Sequence, residues 1–438
     1  MLQTDTRIRV LFIDSGGGYG GPTAFLCYLL THLDKEKCQP FVAFYLRNRS
    51  DGTVELQRIG VPVFFLGTSQ KLTNYIQTKL LAGPSKSRLL HLSKVAIRLL
   101  SRLVLVEMPQ LWRLLRILKT QQMDLIVLNN DVHYHRVAAL AATISGVPCI
   151  CRKAGGIGEG KRIKKFLTPC VDLFIAISAA TARDQMENNP STKKAVIIYE
   201  GIDLGKFTPS SVHPEVLQGL GILSGKKVVG YISRLVEGKG HREFIEAAVS
   251  IRNRYNDVVF LIVGADMADQ EGAFMKQLRR RVDDLGLGDC VIFAGWRTDI
   301  PEILSVVDVF VHCPTSWLEG LGIAHLEAMA MGVPTVVSSN GGLPDAAVDG
   351  VTGFIVPPGN IEKLAARVIN LLEDEGLALR LGRNARARVE DLFDASKNTI
   401  KLEGFFKEYS QVRKSAFKWW PLPHFAARRG HSMNQSEG

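Results

Sequence analysis

Two glutamates eight positions apart, Glu319 and Glu327, stand in the string Glu-Gly-Leu-Gly-Ile-Ala-His-Leu-Glu, on either side of a glycine turn that feeds the start of a helix. A helix N-terminus has N–H groups without intrahelical partners and the positive end of the dipole. The amides of Gly320, Leu321, Gly322 and Ile323 therefore suit a pyrophosphate. A carboxylate repels phosphate and accepts hydrogen bonds from hydroxyls, so the partners for the two acids are hydroxyls on either side of that anion. From Gly322 to Glu327 a helix rises roughly 8 Å, comparable with a diphosphate linker, which lets one glutamate reach a ribose and the other a sugar. The same spacing also fits an amphipathic helix that merely begins after a loop acid.

A second group of residues completes the chemistry. The apolar run 228–233 reads as a strand that delivers Arg234, and then Glu237, Gly238, Lys239 and Gly240, onto the next loop. The planar fork of Arg and the compact charge of Lys suit a diphosphate that grows more negative as it departs. Alone this is an ordinary basic loop; with the glutamate pair it defines one anion site. The first strand runs into Asp14-Ser15-Gly16-Gly17-Gly18-Tyr19-Gly20-Gly21, which holds the G-x-G-x-x-G spelling at Gly16, Gly18 and Gly21. A dinucleotide fold would end its second strand in an acid, whereas this one leads into Arg47, Asn48 and Arg49, acceptable only to a phosphorylated ribose. Glycines here either tighten a turn or let an anionic ligand approach the backbone, and the second use is favoured.

The elements that must position these groups alternate between short apolar runs and helical periods. This pattern predicts an α/β protein with parallel sheets covered on both faces by helices. The expected strands are 10–13, 41–45, 63–66, 125–128, 149–151, 173–177 and 196–198 in the first half, and 228–233, 258–263, 291–293, 309–312, 335–337 and 354–356 in the second. Two doubly wound domains are expected, 1–204 and 227–404, joined by a Pro-, Ser- and Gly-rich linker at 205–226, with a terminal helix and tail at 405–438 that returns to the first domain. Ligands in such folds bind outside the C-terminal ends of the strands, so the two domains should face one cleft.

Composition is that of a globular protein, with 46% hydrophobic and 22% charged residues in 438. No stretch reads as a membrane span, the start lacks a secretory signal, and seven scattered cysteines show neither a disulfide framework nor zinc spacing. A cytoplasmic protein is expected, peripheral on a membrane if its basic segment docks there. The net charge of +11 concentrates between Lys71 and Lys119, where Glu107 is the single acid. Lys94, Arg98 and Arg102 repeat every four residues while Leu92, Val95, Leu99, Leu103 and Val106 take another face. Residues 86–106 thus read as a basic amphipathic helix ended near Pro109, suited either to an anionic bilayer or to a core with a solvated basic face. The tail adds Trp419 and Trp420 beside Lys418. Arg152, Lys153, Lys161, Arg162, Lys164 and Lys165, interrupted by four glycines among residues 155–160, read as a basic loop that grips an acceptor or is simply solvated; Tyr19 is placed on the acceptor side too. No nucleic-acid motif is present.

Taken in order, Gly20-Gly21, Glu200-Gly201-Ile202-Asp203, Arg234 with Lys239, Glu319 through Glu327, and Gly341-Gly342-Leu343-Pro344-Asp345 resemble the large retaining GT-B glycosyltransferase family that includes sucrose synthases and lipid-directed mannosyltransferases. The resemblance covers almost the whole chain and is most specific over residues 314–359. It implies that Arg234 and Lys239 hold the diphosphate, Glu319 the transferred sugar and Glu327 the ribose. Gly20 and Gly21 would meet the donor, and Gly264 and Arg297 would line the base pocket. The family's histidine near the reacting sugar is matched by His133, or else by His135, in Asn129-Asn130-Asp131-Val132-His133-Tyr134-His135. Glu200 departs from the family's usual Asn.

The implied reaction moves a sugar from a nucleotide diphosphate sugar, with retention, to a saccharide or lipid-linked acceptor. The chain has no D-x-D string, so neither metal nor cofactor is expected, the cations serving instead. The competing readings are an NADP-dependent oxidoreductase using the Gly16–Gly21 loop, and a non-catalytic basic protein on membrane or nucleic acid.

Overall fold

The computed structural model describes residues 6–15, 21–45, 51–67, 94, 96, 97, 99–155, 160–188, 192, 194–210, 213–265 and 272–412. Its first sheet holds β1 (Ile8–Asp14), β2 (Cys38–Phe44), β3 (Val63–Phe65), β4 (Leu125–Leu128), β5 (Cys149–Lys153), β6 (Leu173–Ala176) and β7 (Ala195–Ile197) in the order 3-2-1-4-5-6-7, and every pairing is parallel. The second holds β8 (Lys227–Ile232), β9 (Val258–Val263), β10 (Val291–Gly295), β11 (Val309–His312), β12 (Thr335–Ser338) and β13 (Gly353–Val356), ordered 10-9-8-11-12-13 and again parallel. Each strand coincides with one expected apolar run. Strands covered on both faces have no polar side to alternate with: all four residues of β4 and all six of β9 are buried.

Side chains alternate across each strand and so feed two cores. Val10 and Phe12 of β1 join one apolar cluster, and Leu11 and Ile13 join the cluster on the opposite face. The first of these is closed by the helix Ala395–Ser410, whose Phe406 meets Phe12 edge-on with ring centroids 5.8 Å apart. The end of the described chain thus packs on the sheet that holds its beginning. Residues 205–210 and 213–226 are not a bare connector: Phe207, Val216 and Ile222 are buried with Val228 and Val259 beside the second sheet.

The chain passes from the first sheet to the second near Ile202 and returns near Asp394, and the two passages touch. The Ile202 N–H donates to the Phe393 carbonyl at 2.7 Å, and the Ala395 N–H donates to the Ile202 carbonyl at 3.0 Å. Gly201 makes this approach feasible, since a Cβ there would stand 2.3 Å from the Ala395 Cα.

One expected boundary is wrong. Pro109 does not end the basic helix: residues 99–102 continue through a π turn, Leu103–Glu107, into the helix Met108–Thr120. The π turn accommodates it: the Met108 N–H reaches back five residues to the Leu103 carbonyl, so the hydrogen-bond register shifts immediately before the proline, whose nitrogen has no hydrogen to donate.

Candidate functional site

Strand order reverses beside β1 and β4 in the first sheet and beside β8 and β11 in the second. At each reversal the connections leave in opposite directions and open a crevice. The crevices meet in one cleft of about 1010 Å³. From the first sheet's side it is lined by Asp14, Gly21, Tyr28, Asn130, Tyr134 and Glu200, and from the second's by Arg234, Lys239, Gly264, Arg297, the stretch 319–323 and Glu327.

The helix Ile323–Ala330 begins at this cleft. Gly322 caps it with no side-chain hydrogen bond, and its first turn contains no acid. Opposite lies the start of the helix Gly21–His32, also without an acid in its first turn; a Cβ on Gly21 would stand 3.7 Å from Ile323 Cγ1. Two positive helix ends therefore converge where an anion would be favoured. Gly320 sits against the other half of the molecule, where a Cβ would come within 2.2 Å of the Ala154 carbonyl oxygen.

Glu319 is buried and receives hydrogen bonds from Lys239 Nζ and from His312 Nε2, the latter at 3.0 Å. Burial raises the pKa of its carboxyl, but the Lys239 charge and the His312 bond outweigh that and hold it well below the usual carboxylate range. Its backbone is fixed by Asn340, whose Oδ1 accepts from the Glu319 N–H at 3.1 Å. The Trp317 ring lies under both cations, 5.4 Å from the Arg234 guanidinium carbon and 5.0 Å from Lys239 Nζ.

Glu327 has a different environment. Tyr28 OH, from the helix Gly21–His32, donates to Glu327 Oε1 at 2.9 Å. Burial pushes the carboxyl up to about 7, with the Tyr28 bond and the Lys206 charge opposing. The two acids that look alike in the sequence are thus tuned in opposite directions.

Arg297 reaches the cleft beside Trp296, and its Nε donates to Asp299 Oδ1 at 2.8 Å. Gly264 lies in the connection after β9, and a Cβ on it would overlap the Ser233 carbonyl. Leu321 is buried, and Gly320, Gly322 and Ile323 line the same wall.

Three expectations fail in the first half. His135 does not reach the cleft: it is buried, stacks on Tyr45 with centroids 5.7 Å apart, and burial pushes its pKa down to about 3, so it is a neutral core ring. Arg152 and Lys153 do not form an exposed acceptor grip, because β5 carries them inward. Arg152 donates from Nε to Asn129 Oδ1 at 3.0 Å and pairs with Glu200, while Lys153 pairs with Asp131 and, at 2.8 Å, with Asp184. Lys164 joins that buried cluster, 2.7 Å from Asp131. Glu200 thereby gains a purpose that Asn would not serve, as counter-ion to Arg152; burial nevertheless raises its pKa. His133 holds Asp131 through Nδ1 at 3.1 Å and is partly exposed. Tyr19, Gly20, Gly16, Gly18, Arg47 and Arg49 lie outside the described residues, as do Trp419 and Trp420.

Sequence reading passed over His312, Tyr28 and Asn340. His312 carried a usable signal, being the last residue of a strand at an order reversal. Tyr28 carried none, since its partner is 299 residues away.

Residues 213–388 match the family described as Glycosyl transferases group 1. The chain is 28% identical over 323 residues to the UDP-Gal:alpha-D-GlcNAc-diphosphoundecaprenol alpha-1,3-galactosyltransferase of Escherichia coli, covering 68% of this chain and 79% of that protein. It is 30% identical over 231 residues to the lipopolysaccharide core biosynthesis mannosyltransferase LpsB of Rhizobium meliloti, covering 52% of this chain and 63% of that one. Among solved structures it resembles Anabaena HepE, determined with UDP and glucose, at a TM-score of 0.75 and 22% identity over 92% of this chain and all of that one. Two facing Rossmann-like domains, the GT-B architecture, are shared with it.

Proposed function

We propose that this chain is a glycosyltransferase of the group 1 kind that residues 213–388 match, moving a hexose from a nucleotide diphosphate sugar to a lipid-linked or saccharide acceptor, with retention and without a metal. The donor belongs to residues 227–404, the acceptor to residues 1–204, and the product to glycan or envelope polysaccharide synthesis at the cytoplasmic face of a membrane. One observation carries the reading: Arg234 and Lys239 share a cleft with the uncapped helix start at Gly322 and with Glu319.

Breaking the bond between the anomeric carbon and the phosphate oxygen leaves positive character on the ring and negative charge on the departing diphosphate. Cations and amides fixed beside that diphosphate stabilise the transition state more than the bound donor. Arg234, Lys239 and the amides from Gly320 to Ile323 supply both, in the role that a divalent ion takes elsewhere. The acceptor hydroxyl attacks from the side the diphosphate leaves, and a donor phosphate oxygen takes its proton.

Glu319 is suited to reading hydroxyls. A general acid needs a raised pKa, whereas Glu319 is held ionised by Lys239 and His312. The donor sugar would take over part of the bonding that Lys239 now gives. Glu327 would accept from the ribose in the place where Tyr28 now donates. Of the two imidazoles, His133 is our choice to meet the transferred sugar, because His135 is a buried core ring.

Melting the protein with UDP, GDP, ADP and their sugar conjugates identifies the donor, because a ligand of the folded state raises apparent stability. One nucleotide sugar should stabilise strongly, and Lys239→Ala should abolish transfer from it. A flat panel, or transfer surviving in Lys239→Ala, would overturn the assignment.

A further inference from the structure

The helix spanning residues 99–120 shows two unlike apolar faces. Val106, Leu114 and Leu118 are buried, the two leucines in a core cluster of the first half of the molecule. Ile97, Leu100, Val104, Met108 and Trp112 follow at intervals of three or four residues on the outer side, each between 49 and 62% exposed. A ridge of this length exposed to water marks a surface that something covers.

Charge decides what covers it. From Lys71 to Lys119 the sequence carries ten cations and the single acid Glu107. That carboxylate is already committed to Arg102, at 3.1 Å, and to Arg136. Arg116 and Lys119 are exposed beside the ridge, and the Arg116 guanidinium lies 5.7 Å from the Trp112 ring. A second copy of this chain would bring the same cations face to face, whereas an anionic lipid surface complements them. Among the described residues no helix is long and apolar enough to cross a membrane, so the segment would lie along the interface.

The neighbouring helices extend the surface. The helix Arg136–Ser145 packs beside Met108–Thr120 and exposes Leu140, and Lys161–Leu167 packs beside that helix and leaves Phe166 81% exposed next to Lys165. Tyr134, just before the first of these, is both exposed and part of the cleft lining. The apolar surface and the cleft therefore share an edge.

We propose that the ridge from Ile97 to Trp112 is a docking surface for an anionic bilayer, with its apolar side chains entering the lipid and Arg116 and Lys119 at the headgroups. This deepens the reading of a membrane-presented acceptor, and it is tested without any donor, so its failure is separate from failure of the transfer reaction.

The test is flotation of the full chain with phosphatidylcholine vesicles, with and without roughly a third phosphatidylglycerol. Binding is expected on the anionic vesicles. Leu100→Gln with Val104→Gln and Trp112→Gln should weaken it at least about tenfold, given the apolar area withdrawn from lipid. Arg116→Gln with Lys119→Gln should weaken it roughly 25-fold and flatten its salt dependence, each cation near such a surface being worth roughly fivefold. If the triple variant melts early, the charge pair carries the test alone. The proposal is overturned if the wild type stays with the soluble fraction, if both variants float like the wild type, or if light scattering shows a dimer that the triple variant dissociates.

Discussion

Tyr28→Phe removes one oxygen and should reveal the state of Glu327. The carboxyl is pushed from 4.5 to about 7 by burial, with Tyr28 OH, at 2.9 Å, pulling the other way. A rise of that size means that ionising Glu327 costs the folded protein about 3 kcal/mol relative to the unfolded chain. The sign follows from the raised pKa: the protonated carboxyl favours the fold, so this contribution is fully present below the unfolded carboxyl's pKa and is lost as pH climbs through about 7. Tyr28 limits the loss, since a hydrogen bond to a charged group is worth about 1.5–3 kcal/mol and one to a neutral group about 0.5–1.5. Tyr28→Phe should therefore cost more at about pH 8 than at about pH 5.5, and lower the melting temperature by a few degrees more at the higher pH. Glu327→Gln, which cannot ionise, should show no such pH dependence. Melting curves of the three proteins at both pH values provide the measurement. An equal loss at both, or a Phe variant that melts like the wild type at the higher pH, would refute the reasoning. Nucleotide-sugar affinity gives a second readout: on the proposed role the ionised carboxylate would accept from ribose, so binding should tighten as pH rises through about 7.

Three other perturbations separate the remaining roles. Lys239→Ala leaves a buried carboxylate with His312 as its main support; it should lower stability by about 3–5 kcal/mol and turnover at saturating donor by at least about 10²-fold, and normal turnover would remove Lys239 from the site. His312→Ala should lower turnover roughly tenfold or more by freeing Glu319 to move, whereas His135→Phe should leave the rate within about twofold because that ring is a neutral part of the core; the reverse ranking in steady-state assays would exchange their roles. Dialysis against a chelator should leave the transfer rate unchanged, and a loss restored by magnesium or manganese would show that the cations are not sufficient.

Much of the fold was legible because parallel strands buried on both faces leave contiguous apolar runs, so that 125–128 and 258–263 could be read to the residue. The stretch from Glu319 to Glu327 was legible as a glycine turn entering a helix, and that is what stands there. The failures have physical causes. Arg152 and Lys153 read as exposed because charge ordinarily means solvent, yet Glu200, Asp131 and Asp184 had been placed to meet them by strands and helices distant in sequence. Pro109 read as a stop because a proline inside a helix ordinarily breaks it, while the π turn just upstream shifts the hydrogen-bond register and lets the helix run on through it. Tyr28 and Glu327 meet only because two sheets face each other, and neither residue's neighbours in sequence announce the other.

The two passages between the sheets run side by side at Ile202 and Asp394, joined by backbone hydrogen bonds and closed over Gly201. Two strands of chain fastened at one place act like the pin of a door. Any opening of the two halves would have to turn about that line, because the Ala395–Ser410 helix is packed onto the first sheet and would resist twisting or sliding. A bulky side chain at position 201, far from any bound sugar, would loosen the pin and spoil the alignment of the two walls.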